Sequence, residues 1–196
     1  AHDVVINEAI RNTMAVFEQI PRDIPGTLIG LPGGGLGFSG GTALGIKLAH
    51  PERRVIHVVG DGSFYFSNPS ALYAVSRQQK LPIWTVLLDN GGWSAVKEST
   101  LRMYPQGSAH GQQRFESGLG YETDFAAIAE AAGAHGERLR DPAQAQAAIP
   151  RIAPPPPPAA PRRIITFRTQ SEAEKAINRY KSAAAREEGA DPYLLS

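Results

Sequence analysis

The 196 residues carry 20 Lys+Arg against 19 Asp+Glu, a net charge of +1, so no basic field points to nucleic acid or an anionic membrane, and any bound anion must be held locally. The absence of cysteine excludes disulfides, thiolate metal sites and a Cys nucleophile. The length suits one well-buried core; with no apolar run of about 18 residues and no basic-then-apolar start, the expectation is a soluble, cytoplasmic protein.

Along the chain, short β-branched runs alternate with helical stretches. VVIN (4–7) predicts a strand and EAIRNTMAVFEQI (8–20) a helix. TLIG (27–30) is a second strand, and the glycine run GGGLGFSGG (33–41) leads into the helix FSGGTALGIKLAH (38–50). VIHVVG (55–60) and IWTVLL (83–88) are continuous apolar runs suited to strands buried on both faces, with the helix NPSALYAVSRQQ (68–79) between them. Leu101 to Gly120 has little periodicity and many loop formers, which suits a mobile active-site loop. TDFAAIAEAAG (123–133) predicts a helix capped by Thr123 or Asp124 and ended by Gly133. APPPPPAAP (153–161) is a stiff connector before a fifth strand, IITF (164–167), and a charged helix runs from Ser171 to about Glu188 ahead of a short apolar end.

Strand and helix in alternation define an α/β fold: a three-layer, doubly wound, mainly parallel sheet with helices on both faces. One domain is expected over residues 1–170, followed by a C-terminal helix and tail over 171–196.

Two motifs compete for the chemistry. Gly35-x-Gly37-x-x-Gly40 matches the dinucleotide fingerprint, and Asp61 at the end of the next strand nearly supplies its acidic partner, as in a nicotinamide-dependent Rossmann oxidoreductase. Against it, the strand entering the glycines is short and is not the first of the fold. Asp61 is also flanked by Gly60 and Gly62 and followed by Ser63, which suits a tight turn with an outward-facing carboxylate. A second oxygen-bearing turn, Asp89-Asn90-Gly91-Gly92, closes the following strand. Asp61, Asn90 and a main-chain carbonyl just beyond it are the hard oxygens that Mg²⁺ takes when phosphate and water supply the rest.

This combination resembles the diphosphate-binding domain of thiamine diphosphate enzymes, in which GDG and a later N or NN bracket one strand–helix–strand interval. Here Gly60-Asp61-Gly62 is followed by 26 residues and then Asp89-Asn90. Within that superfamily NEA (7–9), GGLGF (34–38), ALGIKLAHPERRVIHVVGDGS (43–63) and NGGWSAV (90–96) are most similar to benzoylformate decarboxylase and acetolactate-synthase-like enzymes.

The resemblance implies thiamine diphosphate and Mg²⁺ as cofactors. Asp61, Asn90 and the Gly92 carbonyl would hold the metal, and Gly62 and Ser63 the diphosphate. The Gly34 carbonyl would accept from the pyrimidine amino group, and Leu36 would wedge the cofactor into its bent, reactive conformation; the plainer reading of Leu36 is a core leucine. The implied activity is decarboxylation of a 2-oxo acid, with release of an aldehyde or transfer to a second carbonyl compound. The glutamate that activates the pyrimidine comes, in this family, from a separate pyrimidine-binding domain, normally of another subunit. This chain has no room for that domain, and Glu8 is not a candidate for the role. The expectation is half an active site, completed by a partner domain or missing segment in a homo- or hetero-oligomer. A non-catalytic interaction subunit is the remaining alternative.

Departures from the pattern bear on the details. Arg11 stands where hydroxyl residues would touch the diphosphate, and reads equally as a charged replacement or a solvated helix arginine. Asp89 replaces the first Asn of a common pair. Lys97, Glu98 and Ser99 occupy positions that would carry aromatic groups for an aryl substrate, which points to a smaller or more polar one. Trp93 and Val96 would line the cofactor end of the pocket, and His110 is a candidate proton shuttle in the loop.

Overall fold

The computed structural model describes residues 3–30, 33, 35–120, 122–141, 144 and 147, all within one compact unit. Its sheet has four parallel strands, β1 (Val4–Glu8), β2 (Leu28–Ile29), β3 (Val55–Gly60) and β4 (Trp84–Leu88), in the order β2-β1-β3-β4. A single 3-10 turn and α1 (Thr13–Gln19) join β1 to β2, and α2 (Phe38–Ala49) carries the chain back across β1 to β3. Between β3 and β4 lie α3 (Asp61–Phe66) and α4 (Pro69–Gln78); α5 (Ser94–Met103), α6 (Ser108–Gly111) and α7 (Phe125–Ala131) follow.

The apolar runs of β1 and β3 are continuous because those two strands are covered on both sides, whereas β4 is half-buried along its length. Val5, Ile56 and Val58 point to one face, where they meet Ala9 and Val16. The alternate residues Val4, Ile6 and Val55 meet Ala43 of α2, while Val59 packs on Leu44, Phe64 and Leu72. The α/β expectation, with helices on both faces of a parallel sheet, therefore holds. The expected strand at 164–167, the tail helix and the division after residue 170 lie outside the described residues.

Local capping chemistry also matches the sequence. The Asp124 carboxylate accepts from the Ala127 amide at 2.9 Å, and Gly133 leaves α7 at φ +82°. Asn68, at φ +51°, caps α4 ahead of Pro69. Lys47 is buried with its ammonium donating to the Pro51 and Arg53 carbonyls at 2.9 and 2.6 Å, which ties α2 to the turn before β3. Among the described residues no helix is long and apolar enough to cross a membrane.

The strand order reverses direction between β1 and β3: the chain leaves β1 toward β2 on one side, then builds β3 and β4 on the other. In open parallel sheets a crevice opens at such a switch point, outside the carboxyl ends of the strands. Glu8 and Gly60, which end β1 and β3, mark that position here. The order also removes the Rossmann reading, because a fingerprint glycine turn and its acidic residue sit on neighbouring strands, whereas β1 separates β2 from β3.

Candidate functional site

The two turns singled out in the sequence meet at one edge of the sheet. Gly60 pairs with Leu88 in the parallel register of β3 and β4, so GDG and DNGG leave adjacent strands at the same level. The first is a strand-to-helix junction rather than a free turn: Asp61 is the first residue of α3, and Phe64, fully buried, anchors that helix in the core. Asp61 does not face outward, as the sequence suggested. It is 1 % exposed, because the second turn folds over it.

Burial pushes the Asp61 carboxyl above its ordinary range, opposed by the nearby amides of Gly62, Asn90 and Gly92. Those amides lie close enough to favour the charge, but none completes a hydrogen bond of ordinary geometry to either oxygen, and both oxygens are shut off from solvent. A buried carboxylate is stable as a charge only when paired, hydrogen-bonded or bound to metal. A divalent cation fits this orphaned pair of oxygens.

The second turn supplies compatible donors. Asn90 is exposed and its Oδ1 accepts from the Ser94 hydroxyl at 2.7 Å. The Asp89 carboxylate accepts from the Gly91 amide at 3.0 Å, which shapes the turn. Gly92 forms an antiparallel bridge with Gly118, made by Trp93 N–H to the Ser117 carbonyl (2.7 Å) and Leu119 N–H to the Gly91 carbonyl (2.9 Å). Those bonds flank Gly92 and leave its own carbonyl outside the ladder. Among the described residues no three His, Asp or Glu side chains gather to hold a metal, so a cation at Asp61 would rest on Asn90, a main-chain carbonyl and phosphate or water, as Mg²⁺ does.

Three glycines explain how tightly these parts are joined. A Cβ on Gly62 would lie 2.6 Å from the Trp93 ring, whose Nε1–H donates to the Gly62 carbonyl at 3.0 Å. On Gly92 it would lie 2.2 Å from the Ser117 carbonyl oxygen. On Gly37, at φ +89°, it would lie 2.5 Å from the Phe66 carbonyl carbon, and the Ser67 hydroxyl donates to the Gly37 carbonyl at 3.2 Å. The glycine turn thus packs on the end of α3, the start of α3 packs on Trp93, and the 113–119 loop closes over Gly92.

The remaining candidate residues are placed as follows. Leu36 is half-buried in the turn before α2, and Gly34 lies outside the described residues. Gly62 and Ser63 are buried in the first turn of α3, and Ser63 makes no side-chain hydrogen bond among the described residues. Arg11 reaches across to Glu98 of α5 at 2.5 Å, with both side chains about half exposed. Trp93 contributes its indole N–H to Gly62, and Val96 is exposed. His110 is exposed in α6, and its ring makes no hydrogen bond among the described residues.

Two buried groups were not singled out as site residues. Glu8, 0 % exposed, accepts from the Gly37 amide at 2.5 Å and the Ser39 amide at 3.0 Å. Both oxygens are thereby turned into the fold, in keeping with its exclusion from the activating role. His57, also 0 % exposed, has Nε2 at 2.7 Å from the Ser39 hydroxyl and Nδ1 at 3.4 Å from the Thr85 hydroxyl. For His57 the available signal was its place inside the apolar run VIHVVG, where a polar residue must find a partner; Glu8 gave no such signal, because the sequence put it at the start of a helix, whereas it ends β1.

Burial lowers the His57 pKa from 6.5 to about 4. Between those values the unfolded chain binds a proton that the folded chain refuses. Its contribution to stability is thus full above pH 6.5 and lost as pH falls toward 4. The shift corresponds to about 3 kcal/mol. Urea unfolding of the wild type and of His57→Gln across this window should show a steeper loss for the wild type; parallel curves would refute the assignment.

Fold and site together define a parallel α/β domain with a buried carboxylate and an oxygen-bearing turn brought together at the carboxyl edge of its sheet. The family model for the thiamine pyrophosphate enzyme C-terminal TPP-binding domain matches residues 12–159, and the chain belongs to that family. It is 31 % identical over 115 residues to 3D-(3,5/4)-trihydroxycyclohexane-1,2-dione hydrolase of Bacillus subtilis, covering 58 % of this chain and 17 % of that protein. It is 32 % identical over 148 residues to the large subunit of acetolactate synthase isozyme 2 of Escherichia coli, covering 74 % and 25 %. The structure of the thiamine diphosphate-dependent 4-hydroxybenzoylformate decarboxylase of Rhodococcus jostii superposes with a TM-score of 0.66 at 24 % identity, over 76 % of this chain and 27 % of that one, and shows the shared fold. The chain thus spans about a quarter or less of the length of these relatives.

Proposed function

We propose that the chain supplies the diphosphate- and Mg²⁺-binding half of a thiamine diphosphate-dependent enzyme acting on a 2-oxo acid, by decarboxylation or by carboligation as in acetolactate synthase. The observation that carries this reading is the buried Asp61 carboxylate, without a hydrogen-bond partner and set against the Asn90–Gly92 turn. Asp61, Asn90 and the Gly92 carbonyl would hold Mg²⁺, with the diphosphate on the amides of α3's first turn and the Ser63 hydroxyl. Leu36 would set the cofactor's bend, and Trp93 keeps the two halves of the metal site in register. When bound, the cofactor supplies the nucleophilic carbon that attacks the substrate carbonyl and receives the electron pair released with CO₂.

The glutamate that activates the cofactor would come from a pyrimidine-binding domain on another chain or segment. A small or polar substrate is favoured because the side chains expected near it are polar and engaged: Lys97 lies over the Phe115 ring at 5.0 Å, and Glu98 pairs with Arg11. A second reading, hydrolysis of a cyclic 1,2-dione, is favoured by the relatives that bear that name.

Both readings are tested by co-purifying the chain with its pyrimidine-domain partner and assaying products with Mg²⁺ and thiamine diphosphate. CO₂ release from a panel of 2-oxo acids is the expected result. An open-chain acid from a cyclic dione, without CO₂, would favour the hydrolase, and turnover by the chain alone would end the half-site reading. No turnover with intact cofactor binding would leave the chain an interaction subunit.

A further inference from the structure

Glu8 is a charged residue with no exposure, at the carboxyl end of β1 and hence at the switch point of the sheet. Its partners are the amides of Gly37 and Ser39, 29 and 31 residues further on, at the start of the 12-residue helix α2. A helix that needs only a cap finds it in its own preceding residue, usually Ser, Thr, Asp or Asn. Here that place is taken by Gly37 in a left-handed conformation, with no side-chain cap, and the acceptor arrives from the sheet. The positive end of α2 and two charge-assisted hydrogen bonds compensate the buried carboxylate.

The consequence is a turn fixed to the sheet from several sides. Glu8 holds the amides of Gly37 and Ser39; the end of α3 touches Gly37; and the Ser39 hydroxyl is bonded to His57 of β3. Leu36, half-buried, is the residue immediately before this anchored point. The metal end of the site rests mainly on other contacts, Trp93 with Gly62 and the Ser117–Leu119 segment with the Gly91–Trp93 turn, and meets the glycine turn at the far end of α3, at Phe66 and Ser67.

We propose that Glu8 is a positioning residue, whose carboxylate fixes the glycine turn before α2 in the shape that receives the aminopyrimidine end of thiamine diphosphate. This rests on the cofactor reading above and adds a division of labour. Glu8 governs recognition of the organic end of the cofactor, and the Asp61–Asn90 turns govern its diphosphate and metal. Glu8→Gln keeps the shape but offers one carbonyl oxygen and one NH₂ group to two N–H donors, so one amide of the turn loses its acceptor.

The test measures calorimetric affinity of the chain, co-purified with its pyrimidine-domain partner, for thiamine diphosphate and for inorganic diphosphate, each with Mg²⁺, in the wild type and Glu8→Gln. Amide exchange at Gly37 and Ser39 is followed without ligand. Expected are wild-type preference for thiamine diphosphate and protected Gly37 and Ser39 amides; in the variant, faster exchange and about tenfold weaker thiamine diphosphate binding, with diphosphate binding unchanged. Equal weakening of both ligands reveals a merely structural role and overturns the proposal, as does unchanged thiamine diphosphate affinity. Should the variant not fold, the wild type still decides: unprotected amides, or equal affinity for the two ligands, overturn it. A wild type that binds neither ligand overturns the cofactor reading and the proposal together, whereas normal wild-type binding with a failed Glu8 result overturns the proposal alone.

Discussion

Asp61→Asn is expected to abolish Mg²⁺-dependent binding of thiamine diphosphate while leaving the ligand-free chain at least as stable as the wild type. The two effects have one cause. In the ligand-free chain the carboxylate is buried and neither of its oxygens is hydrogen-bonded, a situation that costs several kcal/mol for a charge. Removing the charge relieves that cost, although the neighbouring amides of Gly62, Asn90 and Gly92 recover part of it in the wild type. With a cation bound as proposed, the same charge would be the principal protein ligand, and its loss should weaken binding at least about 100-fold.

Thermal unfolding reads both effects at once. A ligand at 100 times its Kd stabilises the wild type by about 2.7 kcal/mol, and this increment should vanish in the variant. A variant that kept the Mg²⁺-dependent increment would show that Asp61 is not the metal ligand. One that became much less stable without ligand would show that the carboxylate has a structural partner instead.

Gly92→Ala should be the most damaging single methyl group at this edge. Its Cβ would lie 2.2 Å from the Ser117 carbonyl oxygen and 2.9 Å from the Gly118 Cα, and both are backbone atoms that no rotamer change can move aside. The residue also sits at φ +153°, which side-chain-bearing residues rarely adopt. Overpacking and strain together are expected to cost about 3 kcal/mol. The damage should spread to Trp93, whose main-chain amide bonds to Ser117 and whose indole bonds to Gly62. Gly91→Ala is the control: at φ +81° it meets nothing within 4 Å, so only the left-handed conformation is penalised, by about 1–2 kcal/mol. Urea unfolding followed by tryptophan fluorescence compares the two, and equal losses would mean that the Ser117–Gly118 segment does not press on Gly92.

Much of this architecture is legible in the chain. Continuous apolar runs located β1, β3 and β4; for β1 and β3 the physical reason is that strands covered on both faces have no polar side to show. Asp124 with Gly133 bounded α7 through backbone chemistry local to those residues. The pairing of GDG with DNGG was readable because a strand–helix–strand unit in a parallel sheet returns to the same edge.

Less was visible around that edge. α3 was hidden because Asp-Gly-Ser has the composition of a turn, whereas in the fold the segment is helical and anchored by the buried Phe64. Leu101 to Gly120 was read as a loop, yet its 117–119 segment bridges the Gly91–Trp93 turn and α5 runs into its start.

The sequence by itself determined the fold class, through the alternation of apolar runs and helices; the spacing of GDG and DNGG singled out the oxygen-bearing residues, and the resemblance those motifs carry pointed to the cofactor family. Tertiary structure alone decided that Asp61 is buried without a partner, that Glu8 turns inward to the Gly37 and Ser39 amides, and that His57 lies between Ser39 and Thr85. These facts depend on which strands become neighbours. The sheet order brings residues tens of positions apart into contact, and removal from water then determines which charges must find a partner.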